Sequence, residues 1–379
     1  MKFLHLSDLH LGKRLNEFSL LEDQQYILES ILGLVSNEKP RAVVIAGDVY
    51  DKPVPPVEAV RLFDKFLTAL ASAGVAVIVI GGNHDSSDRL SFGSGLFKGS
   101  GVHIAPAYSG DIKAVTLSDE WGKVNFYPLP FIKPAHVNRF WPDDGICDYT
   151  SAVRTALEHA EIDYSQRNVL VCHQFVTGAA RCESEELSVG GLDNVDSSVF
   201  SQFDYVALGH IHGPQKIGTE YVRYCGSPLK YSFSESLQKK SVPMVEMGKK
   251  GDINVKLLPL VPRRELKVLR GTYASVTALS FTSKLNAEDY YKIILTDEED
   301  VPEGVSKLRM FYPNLMSLEY DNSRTRSEAA EVDGEKIKDK TPMQLFEDLY
   351  ERQNGRPMTE DMQKDVKELI ESIWQGDGA

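Results

Sequence analysis

Cysteine is scarce: four residues in 379, at positions 147, 172, 182 and 225, with no Cys-x-x-Cys pair. That spacing argues against a disulfide framework or a cysteine zinc module and leaves reduced thiols as the expected state. Long apolar runs are missing too. The most apolar stretch, 75–80, is far too short to span a bilayer, and the N-terminus turns polar by Ser7, so no signal peptide is expected. Positive charge is in deficit, with a formal net charge of −13, which disfavours a nonspecific nucleic-acid coat. The deficit is uneven. Residues 327–379 hold 14 acidic and 7 basic side chains, so the first 326 residues carry only −6. Two bound divalent cations would reverse much of that locally, so a polyanionic substrate is not excluded.

What the chain does have is a repeated ending. Five apolar, strand-like runs stop on residues able to bind metal. Residues 3–6 lead into Ser7-Asp8-Leu9-His10, and 42–46 into Gly47-Asp48-Val49-Tyr50-Asp51. Residues 75–80 lead into Gly81-Gly82-Asn83-His84-Asp85, 169–172 into His173, and 205–208 into Gly209-His210-Ile211-His212. Ligands of α/β sheets bind beyond the carboxyl ends of the strands. Five such ends set side by side would gather Asp, Asn and His into one cleft, the makeup of a two-metal hydrolytic site.

Each motif alone has a plainer reading. Asp8 and His10, two apart on extended chain, face one side, yet either could be an ordinary strand-end polar residue. Gly47-Asp48 by itself marks a turn, although a carboxylate can bridge two cations where imidazole cannot. Asn83 offers a neutral oxygen in a stretch that Gly81-Gly82 already turns. His84 could donate to a phosphate or leaving oxygen if held protonated, and Asp85 could orient it and raise its pKa. His210 and His212 again share a face, whereas His173 alone is more often a structural histidine. His5 reads as a core residue, and His103, His136 and His159 have no assigned role. Together, in order and each at a strand end, the five signals point to one dinuclear centre.

Around these motifs the chain reads as an α/β layered domain over 1–262. Helices are predicted over 22–35 and over 57–73, the latter with Val60, Phe63, Leu67 and Leu70 at helical spacing. The Gly-, Ser- and Glu-rich stretch 178–194 reads as a long functional loop. Pro259, Pro262 and Arg263-Arg264-Glu265 look like a boundary. A small α+β unit follows over 266–321, with strands at 266–269, 291–295 and 315–320 and a helix near 304–311. Residues 322–340 read as a charged linker. The segment 341–374 reads as two amphipathic helices. The first is capped by Thr341 with Pro342 next and Leu345, Phe346, Leu349 and Tyr350 on one face. The second has Met362, Val366, Leu369, Ile370 and Ile373 on one stripe.

The motifs D-x-H, GDxxD, GNHD, a lone His after a strand, and GHxH resemble the calcineurin-like metallophosphoesterase superfamily, whose fold is a layered β-sandwich flanked by helices. Ser184-Glu185 through Gly190-Gly191, the Pro214-Gln215 that follows His212, and Gly226-Ser227-Pro228-Leu229-Lys230-Tyr231-Ser232-Phe233-Ser234-Glu235 resemble the bacterial SbcD family of nuclease subunits. The resemblance implies that Asp8, His10 and His212 hold one ion, that Asn83, His173 and His210 hold the other, and that Asp48 bridges them. It implies His84 acting on the scissile phosphate, backed by Asp85. Two divalent ions, usually Mn2+, are implied. So is a DNA exo- and endonuclease working under an SbcC-type ATPase, as a homodimer within a heterotetramer, in the cytoplasm and at the nucleoid when bound to DNA.

Further expectations rest on single residues. Lys13, Arg14, Lys52 and Arg89 follow the ligand motifs and are candidate DNA-phosphate contacts, against the alternative of solvated surface charge. Tyr231 and Phe233 are expected to pack rather than stack on bases. The segment 341–374 is expected to dock on the ATPase, and a dimer surface is expected at 57–73 or 86–97. The competing activity is a small-molecule, cyclic-nucleotide or protein phosphoesterase on the same fold. For protein phosphatases, Asp51-Lys52 and Asp85 stand where the resemblance would call for Arg and Glu. A binding scaffold is the other rival, but scaffolds of this fold lose ligands and here none is lost.

Overall fold

The computed structural model describes residues 1–185, 194–323, 325, 342–354, 357–359 and 362–366. Strands Lys2–Leu6, Ala42–Ala46, Ala76–Ile80 and Val102–Ile104 run parallel in one sheet. Their apolar runs leave almost every residue buried on both faces, as interior parallel strands require. Ser241–Met247 and then Ile253–Pro259 extend this sheet antiparallel beside Lys2–Leu6.

A second six-stranded sheet is built around three parallel strands, Gly122–Leu129, Arg167–His173 and Tyr205–Gly209. The edge strand Val115–Asp119 makes a hairpin with the first of these. Val222–Tyr224 and Gln215–Lys216 complete the far side.

The two sheets meet face to face on Phe3, Val44, Ile78, Phe126, Val169 and Tyr205. The outer face of the first is covered by helices Leu21–Glu38 and Val57–Ser72, through Ile27, Ile31, Phe63 and Phe66. The outer face of the second is covered by Tyr149–Glu158, through Ala152, Val153 and Ala156. Burying each large apolar side chain contributes about 1.5–3 kcal/mol. The result is the helix-flanked β-sandwich that the family resemblance implied. Local chemistry sets the helix ends. Lys39 takes a left-handed φ of 50° and Pro40 follows, so the first helix stops there. Asp148 accepts from the Ser151 amide at 2.7 Å to start the third.

The small unit has strands Leu266–Gly271, Tyr290–Leu295 and Leu315–Tyr320, all parallel, with Tyr273–Thr277 and Gly304–Arg309 as crossover helices. Its own core is Val276, Tyr291, Ile293, Leu308 and Tyr312. It docks on the sandwich through Leu266 and Tyr290, which join the outer core of the first sheet. A polar clasp reinforces the contact: Arg264 Nη1 donates to Asp23 Oδ2 at 2.8 Å, and the Tyr290 hydroxyl donates to the same oxygen at 2.7 Å.

Beyond it, Pro342–Asn354 is helical and leaves Leu345, Phe346 and Leu349 exposed; 362–366 are helical as well. Most of the charged linker, the cap Thr341, and Leu369, Ile370 and Ile373 lie outside the described residues, as do 186–193 of the long loop. Among the described residues no helix is long and apolar enough to cross a membrane.

Candidate metal centre

Both sheets end their parallel strands at the same edge of the sandwich, where the five motifs converge. Four motif residues leave the strands with left-handed backbones: Asp8 at φ 53°, His10 at 41°, Asp48 at 50° and His210 at 101°. Such conformations cost on the order of 1–3 kcal/mol each and cluster at functional sites. They persist because the loops zip together. Asp8 N donates to Gly47 O at 3.0 Å, His10 N to Asp48 O at 3.0 Å and Leu11 N to Val49 O at 2.9 Å. Gln24, on the first helix, locks the same loop: its Nε2 donates to His10 O at 2.7 Å, and Gly12 N donates to its Oε1 at 2.9 Å. Two glycines are required by close approach. A Cβ on Gly82 would lie 2.1 Å from Asp48 Oδ1, and one on Gly209 would lie 1.9 Å from Ala46 O.

The side chains form two adjoining cups. In one, the ligand atoms of Asp8, His10 and His212 lie within 4.8 Å of one another, with His10 Nε2 and His212 Nε2 3.1 Å apart. In the other, Asp48, His173 and His210 converge equally closely. Asn83 Oδ1 joins the second cup, 3.0 Å from His173 Nε2 and 2.9 Å from His210 Nδ1. Asp48 sits between them: its Oδ2 is 3.3 Å from His173 Nε2 and 3.6 Å from His10 Nε2. The Ala46 carbonyl, 2.7 Å from His173 Nδ1, accepts that ring's other proton, so Nε2 faces the cup.

Burial pushes His10 well down and His210 down to about 3, so both are neutral donors at neutral pH. Burial also raises Asp8. For Asp48 and His173 burial opposes charge, but their mutual attraction prevails, holding Asp48 well below the usual carboxylate range and His173 up to about 9. A cation would take over that proton's place. Two carboxylates, one amide oxygen and four imidazoles suit first-row divalent ions.

The supports of His84 differ from the expectation. Asp85 does not touch the His84 ring. Its carboxylate accepts from the amides of Val49 (3.0 Å), Tyr50 (2.9 Å) and Gly82 (3.0 Å). Three unpaired backbone donors attract it more strongly than one imidazole edge. The His84 ring is held instead by the Asp51 carbonyl, 3.1 Å from Nδ1, and its Nε2 points into the site 4.0 Å from Asp48 Oδ2.

Lys13 is bound to Asp51 Oδ1 at 2.7 Å, so it is not a free surface cation, while Arg14, Lys52 and Arg89 are exposed. Tyr231 is buried and donates to Leu9 O, as packing predicted. His5 is fully buried in the core. The four cysteines are free.

Residues 1–214 match the family described as calcineurin-like phosphoesterase. Residues 262–354 match the type 5 capsule protein repressor C-terminal domain. The D subunit of the nuclease SbcCD from Staphylococcus saprophyticus is 34% identical over 383 residues, covering 99% of both chains. That of Staphylococcus epidermidis is 32% identical over 385 residues, covering 100% of both. This chain belongs to the calcineurin-like phosphoesterase family, among the SbcCD D subunits. As a calcineurin-like phosphoesterase it is a metal-dependent hydrolase, and its clustered Asp and His residues lie close enough together to hold divalent ions.

Motif reading missed one set of groups. Ser184, Glu185, Glu235 and Lys240 surround His212, and Gln24 braces His10. Ser184, Glu185 and Glu235 stood within the stretches that carried the SbcD resemblance. Nothing along the chain links them to a histidine some 30 residues away.

Proposed function

We propose that this chain is the nuclease subunit of an SbcCD-type complex, a manganese-dependent DNA phosphodiesterase with exonuclease and endonuclease activity, working beneath an SbcC-type ATPase. The observation that carries this reading is the convergence of the seven expected residues at one edge of a chain that aligns end to end with SbcCD D subunits. Asp8, His10 and His212 would hold one ion, Asn83, His173 and His210 the other, and Asp48 would bridge them. When bound, the ions supply Lewis-acid polarisation of the phosphodiester and acidify water for in-line attack.

The chain's own residues do the rest. Asp8 and Asp48 are the only anions among the seven, so the loaded site keeps a positive surplus suited to a phosphodiester transition state. His84 donates Nδ1–H to the Asp51 carbonyl, which aims Nε2 at the departing oxygen, where a proton from His84 neutralises the developing charge. Its side chain is 18% exposed, against 3% or less for His10, His173 and Asp48, as suits a group that meets substrate. Asp85 shapes the loop beneath it through three amides.

The units would divide as 1–262 for chemistry, 266–321 as a cap over DNA, 322–340 as linker and 341–374 as the docking segment for the ATPase. Arg14, Lys52 and Arg89 are the exposed cations that would meet DNA phosphates. A homodimer inside a heterotetramer would use the apolar surface of Val57, Val60, Phe92 and Leu96, all exposed. The complex would act in the cytoplasm, at the nucleoid when on DNA.

The test is degradation of end-labelled duplex DNA with manganese by the wild type and by Asp48→Ala. Cutting by the wild type alone supports the reading. If neither cuts, even with the ATPase subunit and ATP, a small-molecule phosphoesterase takes its place.

A further inference from the structure

His212 is gripped at three points by residues with no part in the mechanism above. Its backbone N–H donates to Glu185 Oε1 at 2.6 Å, and its carbonyl accepts from Lys240 Nζ at 2.8 Å. Its ring Nδ1 lies 2.7 Å from Ser184 Oγ. Among the described residues, no other candidate ligand has both its backbone and its ring held by groups from outside the strand-end loops. His173, its counterpart in the other cup, rests its Nδ1 on a backbone carbonyl.

Ser184 Oγ also lies 3.1 Å from Cys182 Sγ, a weak donor or acceptor, but the strongest acceptor beside it is the Glu235 carboxylate. Glu235 is fully buried and paired with the equally buried Lys240, whose Nζ lies 2.6 Å from its Oε2. Its other oxygen, Oε1, has Ser184 Oγ at 2.6 Å, the Tyr231 amide at 3.1 Å and Ser232 Oγ at 3.3 Å, with His212 Nδ1 itself 3.5 Å away. A carboxylate in that position only accepts. The Ser184 proton therefore points to Glu235, and its oxygen must accept from His212 Nδ1–H. With the proton on Nδ1, the lone pair of Nε2 faces His10 Nε2 and the first cup.

We propose that Ser184, Glu235 and Lys240 form a positioning relay that fixes the His212 tautomer and thereby sets cation affinity in the Asp8–His10–His212 cup, separately from the other cup. This rests on the two-cation reading of the site. The relay is directional because Glu235 cannot donate. A glutamine there, nearly isosteric, must aim its amide N–H2 either at Lys240 or at the Tyr231 and Ser184 side, so a donor meets a donor in both orientations. In the second orientation the amide turns the serine hydroxyl towards His212 and moves the ring proton to Nε2, where it blocks the cation. Losing such an outer partner typically lowers metal affinity about 10–100-fold.

The experiment is calorimetric titration of the metal-free full-length protein with Mn2+ alone, with electron paramagnetic resonance to distinguish coupled from isolated ions. The variants are Glu235→Gln, Ser184→Ala and Ser184→Thr. The expected result is two ions in the wild type, and one of the two weakened about 10–100-fold in Glu235→Gln and Ser184→Ala. The second ion is unchanged and the spectrum is that of an isolated ion; the thermal midpoint shifts little in Ser184→Ala, whereas Glu235→Gln lowers it because Lys240 loses its buried carboxylate. Ser184→Thr, which keeps the hydroxyl, retains both ions. Wild-type affinity at both sites in Ser184→Ala and Glu235→Gln overturns the relay, as does equal weakening of both ions. A wild type that binds fewer than two ions overturns instead the dinuclear reading beneath it.

Discussion

At the residue scale, the proposed function gives His84 a chemical role and Asp85 a scaffolding one. His84 approaches the centre but is not needed to complete either cup, so His84→Ala should keep both ions and lose activity by about 10²–10⁴-fold. Metal analysis beside a DNA-cleavage assay checks this, and retained turnover at normal metal content would remove the role. Asp85→Ala should behave differently. It strands three backbone donors at 49, 50 and 82, each costing about 1–3 kcal/mol if left unpaired. Thermal unfolding should therefore fall clearly for Asp85→Ala and hardly at all for His84→Ala. Sequence spacing suggests that neighbours 84 and 85 bond to each other. The loop's unsatisfied amides outcompete that pairing, and such a competition is invisible without knowing where those amides point.

At the element scale, several helical stretches among the described residues present apolar side chains to solvent. The helix Val57–Ser72 buries Ala59, Phe63, Phe66 and Leu70 but exposes Val57 and Val60, and the segment 86–97 exposes Phe92 and Leu96. If the proposed homodimer uses this surface, replacing Phe92 and Leu96 together with Glu should yield a monomer in analytical ultracentrifugation and leave the metal cups intact; a dimer that survives the double replacement would remove that role. The helix Pro342–Asn354 likewise presents Leu345, Phe346 and Leu349 to solvent. Truncation after residue 325 should abolish binding to the ATPase subunit while manganese binding persists; full-affinity capture of the ATPase by the truncated chain would contradict the docking role. Helix positions were readable because a stripe of apolar residues at helical period rarely arises in any segment but a helix. Both long helices of the sandwich lie within three residues of the predicted ends. The parallel pairing in the small unit was not readable, because three short apolar runs specify strands but not their direction.

At the scale of the whole molecule, the metal centre is a joint between two sheets, and its occupancy should be felt by the entire fold. Ions that bind only the native state stabilise it by about 2.7 kcal/mol per site at a hundredfold excess over Kd. Manganese should therefore raise the thermal midpoint, chelation should reverse the rise, and Asp48→Ala should remove most of it, since Asp48 serves both cups. The contact between the sandwich and the small unit is testable as well. Arg264→Ala removes a charged donor from the buried Asp23 and should cost about 1.5–3 kcal/mol in urea unfolding.

That each motif ends a strand was legible in the amino-acid order, and within one parallel sheet such ends lie side by side; that two sheets bring their ends to the same edge was not. Apolar runs, their spacing and the residues that end them depend on local patterning, and local patterning is written directly in the sequence. Which group holds which was decided by the tertiary structure alone. Asp85 on backbone amides, Asp51 on His84, Gln24 on His10, and Ser184 with Glu235 and Lys240 on His212 all join segments from separate parts of the fold. A hydrogen bond selects its partner by distance and direction over a few ångströms, and those exist only once the chain has closed.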